Sequence, residues 1–314
     1  TTRRYCTDWP GRDGPESHPQ HERPRLHRRG LQPHRREGGR VSCKGSEGHQ
    51  GARRPLHRGN GFQAEEAPPR HGNSALRCLD KALDLAQSNT IDGILFAPFN
   101  KAALTLAGLK AEDEHRYMAR YLEFEGYHSE INVLDALMTT RVTSHIGLKD
   151  VAANIDQPAV MRAVDLAYST LKKSGKTRPH VAVAALNPHA GDNGKFGREE
   201  IDILAPAVKA CQDRQMHVTG PWPSDTVFLK AQRGEVDAVV TMYHDQGQIA
   251  IKLMGFERGV TIAGGLPIPV ATPAHGTAFD IVGQKKANVS ATQQAFDLLV
   301  RMAKTHLADQ ESSQ

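Results

Sequence analysis

VDAVVTMYHDQGQIAIK, residues 236–252, begins as a buried strand and turns polar at its tip. VDAVV is a short apolar, β-branched run of the kind that fills a strand buried on both faces. His244, Asp245 and Gln246 follow almost at once, and IAIKLMGF is apolar again. Open α/β sheets bind their ligands beyond the carboxyl ends of the strands, so a polar cluster at this point marks a candidate site.

Working outward, the same alternation recurs. IDGILFAP (91–98) reads as a short strand closed by proline, and VAVAAL (181–186) as another. Between them lie helical patterns. Leu76, Leu79, Leu83 and Ala86 form an apolar stripe that Asn73 can cap. MRAVDLAYSTLKKSG (161–175) has Gly175 as its stop. AVKACQDR (207–214) and TQQAFDLLVRMAKTHL (292–307) follow. Asn100 and Lys101 in FAPFNKAAL can open a helix, as can Ser224 in PWPSDTVF. Strands alternating with helices predict an α/β fold with a parallel sheet covered on both faces. No run reaches membrane-span length, so no membrane partner is expected.

Composition divides the chain. Residues 1–72 hold 14 Arg, 1 Lys and 8 acids, a net of +7 against +5 for all 314 residues. They hold seven of the sixteen His but only Leu26, Leu31, Val41 and Leu56 as aliphatics. So little apolar surface cannot offset the ~1–2 kcal/mol per residue of backbone ordering. Three readings stand: a disordered basic tail that binds nucleic acid, a targeting peptide, or an out-of-frame translation of a GC-rich gene. The targeting reading lacks an apolar core and has too many acids.

Cys6, Cys43, Cys78 and Cys211 make no C-x-x-C pair. The last two sit on helical patterns and read as core cysteines, in keeping with a reducing, cytoplasmic setting.

Three histidines share one topological position. His145 (RVTSHIGLKD), His189 (VAVAALNPHAGDNG) and His244 each follow an apolar stretch and precede a polar loop. A single one reads as a hydrogen-bonded structural side chain. Three suggest a shared metal site that leaves a position open for substrate. Their separations, 44 and 55 residues, match no local metal motif. Lys252, at the edge of a buried stretch, needs an anionic partner, either a ligand or a structural carboxylate. GGLPIPVATPAHGTAFDIVG (264–283) is either a loop that lets a ligand approach the backbone or a plain connection.

NPHAGDNGKFGREE (187–200), GPWPSDTVF (220–228), YHDQGQIAIKLMGFERGV (243–260) and ATPAHGTAFDIVGQKKANVS (271–290) carry a resemblance. From about Asn73 to Ala303 the chain resembles the 4-hydroxythreonine-4-phosphate dehydrogenase family of vitamin B6 synthesis. The resemblance implies a two-domain α/β/α fold similar to isocitrate and isopropylmalate dehydrogenases, with the active site in the interdomain cleft. Residues 73–120 plus 256–308 would form the nucleotide-binding domain, 121–255 the metal, substrate and dimerisation domain, and 309–314 a tail. It implies NAD or NADP and one divalent ion (zinc, magnesium, cobalt or manganese) held by His145, His189 and His244, with ligands drawn from both subunits of a homodimer. Lys252, Asp225 and Asp245 would be catalytic, with Asp245 and Gln246 orienting His244. His115, Arg116, Lys252 and Thr261 would contact substrate, and His275, Gly276, Ala278, Asp280 and Asn288 the nucleotide. The implied reaction oxidises a hydroxyl next to an acid-bearing carbon, then releases CO2 from the β-keto acid.

The chain also departs from the family pattern. Thr261 stands where the family has Asn, Val270 where it has a phosphate-binding Arg, and DEHRYM where it has Gly-His-Thr-Glu. Losing an Arg fork removes a contact worth ~1.5–3 kcal/mol. The pattern is closer to a branch acting on threonate or erythronate 4-phosphate; relatives that oxidise aromatic cis-dihydrodiol dicarboxylates are a further alternative. DWPGRDGPESHP stands where the family opens with a strand and a Gly-rich loop, which favours a frameshift across residues 1–72. The reading from another class is an inactive or nucleic-acid-binding protein with a basic tail.

Overall fold

The computed structural model describes residues 69–111 and 113–312, which lie within one compact unit. The aberrant-segment reading of residues 1–72 falls outside them as far as residue 68. Eight strands pair in one sheet: β1 (Ile94–Leu95), β2 (Ser129–Leu134), β3 (Leu137–Arg141), β4 (Val181–Ala184), β5 (Val218–Trp222), β6 (Ala238–Thr241), β7 (Val260–Gly264) and β8 (Val270–Pro273). Their order is β1-β8-β7-β2-β3-β6-β4-β5. The α-helices are α1 (Pro69–Gln87), α2 (Lys101–Leu106), α3 (Glu114–Tyr121), α4 (Gln157–Lys173), α5 (Ala205–Asp213), α6 (Ser224–Gln232), α7 (His244–Gly255) and α8 (Ser290–Ser312).

β3, β6, β4 and β5 are parallel, as the strand–helix alternation predicts. The rest corrects that expectation, because β2 and β7 run antiparallel to their neighbours and the sheet is mixed. The cause is a tight hairpin. Asp135, at φ 54°, and Ala136 join β2 to β3, a link far too short for a crossover helix.

Period-two alternation explains why the central strands are apolar throughout. Val181, Val183, Ala238 and Val240 pack with Val160, Val164 and Leu171 of α4, Val208 of α5 and Leu298 of α8. Ala182, Ala184 and Val239 face the other way, onto Val227 and Phe228 of α6 and Ile251 of α7. Each fully buried Val or Leu contributes roughly 1.5–3 kcal/mol. A third cluster joins Leu79 and Leu83 of α1 to Ile94, Met118 and Val270.

Local signals fare unevenly. Asn100 caps α2, accepting from Ala103 N at 2.9 Å, and Asp156 caps α4, accepting from Ala159 N at 2.7 Å. Gly175, at φ 97°, follows the end of α4. Asn73 is not a cap, because α1 starts at Pro69 and Asn73 lies inside it. Ser224 is not a cap either: Pro223 holds that place, with no side-chain capping bond. Cys211 is buried, but Cys78 is exposed. Among the described residues no helix is long and apolar enough to cross a membrane.

Candidate active site

The strands preceding the three histidines are neighbours: β3, β6 and β4 lie side by side and parallel. Beyond β3 and β6 the chains stay paired. Thr241 O accepts from Val142 N at 2.8 Å; Met242 O accepts from Thr143 N at 3.0 Å and from Thr143 Oγ1 at 2.8 Å. This continued pairing carries His145 and His244 out together, with ring centroids 5.9 Å apart. His145 adopts the left-handed backbone region, at φ 52°.

Gln246 fixes the exits of two strands at once. Its Oε1 accepts from Met242 N at 2.7 Å and its Nε2 donates to Ala185 O at 2.9 Å. It therefore clamps backbone rather than touching the His244 ring. Asp245 does touch it: Oδ1 lies 2.7 Å from His244 Nδ1. With Nδ1–H donating to that carboxylate, Nε2 presents its lone pair outward.

His189 follows β4 in a loop held from beneath by Glu200. This carboxylate, 3% exposed, accepts from Leu186 N (2.8 Å), Asn187 N (2.7 Å) and Asn187 Nδ2 (2.9 Å). Above it His189, Ala190, Gly191, Asp192 and Asn193 all have positive φ. Non-glycine residues cost about 1–2 kcal/mol each in that region, so the surrounding bonds must hold the loop. The His189 ring faces Phe196 at 6.3 Å.

A cavity of about 300 Å³ opens beside the His145–His244 pair. Strands β2, β7 and β8 line it together with α3 and α7. Of the expected site residues it gathers His115, Arg116, His145, His244, Lys252 and Thr261. It does not gather His189. Among the described residues of one chain, no three His, Cys, Asp or Glu side chains form a group that could hold a metal ion. Asp225 lies exposed in the first turn of α6, away from the cavity lining. His275, Gly276, Ala278, Asp280 and Asn288 lie between β8 and α8. Of that connection only Ala274 lines the cavity, and Asn288 Oδ1 accepts from Ser290 N at 2.9 Å.

Burial, with His128 beside it at 5.2 Å, pushes the His115 imidazole down to about 4. It is neutral at physiological pH, and its buried Nε2 has no hydrogen-bond partner among the described residues. Burial and the Arg141 guanidinium also hold His145 below the ordinary imidazole range, which favours its neutral form.

Two cavity residues escape single-residue reading: Glu130 and Arg141, an ion pair across the β2–β3 hairpin. Opposite charges equidistant from Asp135-Ala136 were the available signal.

Fold and cavity describe an α/β protein with a charged cavity beside the exits of the parallel strands β3 and β6. Sequence comparison makes this specific. The family model described as pyridoxal phosphate biosynthetic protein PdxA matches residues 40–299, and the chain belongs to that family. The match starts upstream of Asn73, the expected start of the resemblance. A Pseudomonas aeruginosa (PAO1) protein named "Putative 4-hydroxythreonine-4-phosphate dehydrogenase 2" is 53% identical over 249 residues, covering 78% of this chain and 74% of its own. The D-threonate 4-phosphate dehydrogenase of Salmonella typhimurium (LT2) is 38% identical over 249 residues, covering 79% and 76%. The crystal structure of 4-hydroxythreonine-4-phosphate dehydrogenase from Klebsiella pneumoniae superposes with TM-score 0.67 at 39% identity, covering 76% of this chain and 72% of that one.

Proposed function

We propose that this chain is an NAD(P)- and divalent-metal-dependent dehydrogenase. Its substrate would be a 4-phosphorylated hydroxy acid, either 4-hydroxythreonine 4-phosphate or threonate or erythronate 4-phosphate, with loss of CO2 from the β-keto acid formed. The observation that carries this reading is the convergence of the His145–His244 pair with His115, Arg116 and Lys252 on one cavity of about 300 Å³. Membership of a family whose named relatives are dehydrogenases supports it.

The donor set suits a borderline divalent ion. His244 is oriented by Asp245, and His145 favours its neutral form. The third ligand in this reading is His189 of a second copy, which makes the active form a homodimer. Once bound, the ion would supply Lewis acidity to the hydroxyl being oxidised and to the carbonyl that replaces it. NAD or NADP, taken up by the connection holding His275, Gly276, Ala278, Asp280 and Asn288, would accept the hydride.

The remaining steps belong to side chains. Lys252 and Arg116 hold the acid and phosphate groups as cations. Neutral His115 lines the cavity beside these cations, and Thr261 offers a hydroxyl. Asp245 keeps the His244 ring turned to the cavity. In this reading residues of both expected domains, 73–120 with 256–308 and 121–255, line the cavity.

The test is metal content after dialysis, combined with nucleotide reduction over a panel of phosphorylated hydroxy acids. The expected result is metal-dependent NADH or NADPH formation, with one CO2 released per turnover. Metal-loaded protein that reduces neither nucleotide with any member of the panel would contradict the proposal.

A further inference from the structure

Glu130 and Arg141 are not used by the reading above, yet both line the cavity. The hairpin register that pairs Asn132 with Thr139 sets them opposite one another. Arg141 is 3% exposed; its Nη2 donates to Glu130 Oε2 and its Nε donates to Ser144 Oγ at 2.9 Å. The Glu130 side chain retains 35% of its surface. Its other oxygen, Oε1, takes no hydrogen bond among the described residues. A buried guanidinium thus braces a half-buried carboxylate that lines the cavity.

Stability alone is a poor reason for this arrangement. Well-packed apolar side chains of similar volume usually do as well as a buried ion pair, or better. Location suggests another reason. Glu130 lines the same cavity as His115, His145 and His244, and its partner Arg141 is bonded to Ser144, the residue before His145, which sets the pair beside the histidines. A carboxylate there repels phosphate and acid groups, turning them toward Lys101, Arg116 and Lys252, and accepts from a donor.

Building on the proposed activity, we propose that Glu130 is a specificity residue for the substrate's spectator substituent. It accepts a hydrogen bond from the hydroxyl or ammonium on the carbon between the acid group and the carbinol being oxidised. In threonate 4-phosphate that donor is the carbon-2 hydroxyl; in 4-hydroxythreonine 4-phosphate it is the amino group. Arg141 is a positioning residue that fixes the carboxylate. A site built to accept a hydrogen bond discriminates strongly against an analogue lacking the donor.

The test compares threonate 4-phosphate with its 2-deoxy analogue. Measurements are kcat/KM and calorimetric Kd, in the wild type, in Glu130→Gln, and in the double variant Glu130→Met/Arg141→Met. The double variant leaves no buried charge unpaired, and melting temperatures report folding. The wild type is expected to favour the hydroxylated compound by about 10- to 100-fold, the equivalent of one charge-assisted hydrogen bond. The double variant should lose most of that ratio, whatever its rate on either compound alone, with Glu130→Gln in between. A ratio that survives in the double variant, or an equal loss on both compounds, would overturn the assignment. If the wild type oxidises neither compound, the proposed activity fails, and the Kd ratio still decides the role of Glu130.

Discussion

Replacing His244 by alanine is expected to lower kcat/KM by about 10³-fold or more, since metal Lewis acidity supplies several kcal/mol of transition-state stabilisation. Bound metal should fall with it, because the variant keeps only His145 in this chain's pair. The fold should not suffer. The His244 side chain is 41% exposed and sits at the first position of α7, outside the apolar clusters. Exposed substitutions of this kind change stability by about ±0.5 kcal/mol or less. The informative result is the dissociation of the two readouts, with activity and metal lost but melting temperature kept. Wild-type activity in the variant would remove the imidazole pair from the mechanism.

The second large effect concerns the loop that presents His189. Glu200→Ala is expected to destabilise the chain by roughly 3 kcal/mol, because it strips acceptors from buried N–H groups. Leu186 N and Asn187 N share Oε1, and Asn187 Nδ2 uses Oε2. The left-handed run from His189 to Asn193 would lose its support, so activity should fall further than stability at temperatures where the variant remains folded. Gly191→Ala attacks the same loop from the other side. Its φ is 81°, and an added Cβ would lie 2.7 Å from Glu200 Oε2. Denaturant midpoints and activity in parallel decide the matter; an unchanged midpoint in Glu200→Ala would show that the carboxylate does not hold the loop.

What the sequence showed, and what it hid, follows from the range of the interactions. The ends of β4 and β6 were visible because a polar residue after an apolar β-branched run is a local pattern, whereas His145 marked a strand exit without its strand being read. That these strands are neighbours was not visible: the pairing of Thr140 with Val240 spans a hundred positions of chain. The β2–β3 hairpin was missed because Asp135-Ala136 lacks the usual glycine signal, and with it went the antiparallel half of the sheet and the Glu130–Arg141 pair. Asn73 failed as a cap because the helix continues upstream to Pro69, which local cap chemistry cannot foresee. The left-handed loop was hinted at by Gly191, Asp192 and Asn193. His189 and Ala190 adopt it against their own preference, held by the buried Glu200 beneath.

The central claim is that His145 and His244 of one chain act with His189 of another on a single ion. Subunit mixing tests it directly. His189→Ala and His244→Ala are each expected to be inactive alone. Co-refolded at equal amounts, random pairing should return roughly a quarter of wild-type activity, because half the dimers are mixed and each mixed dimer holds one intact site. Mixed dimers that form but regain no activity would contradict the shared site.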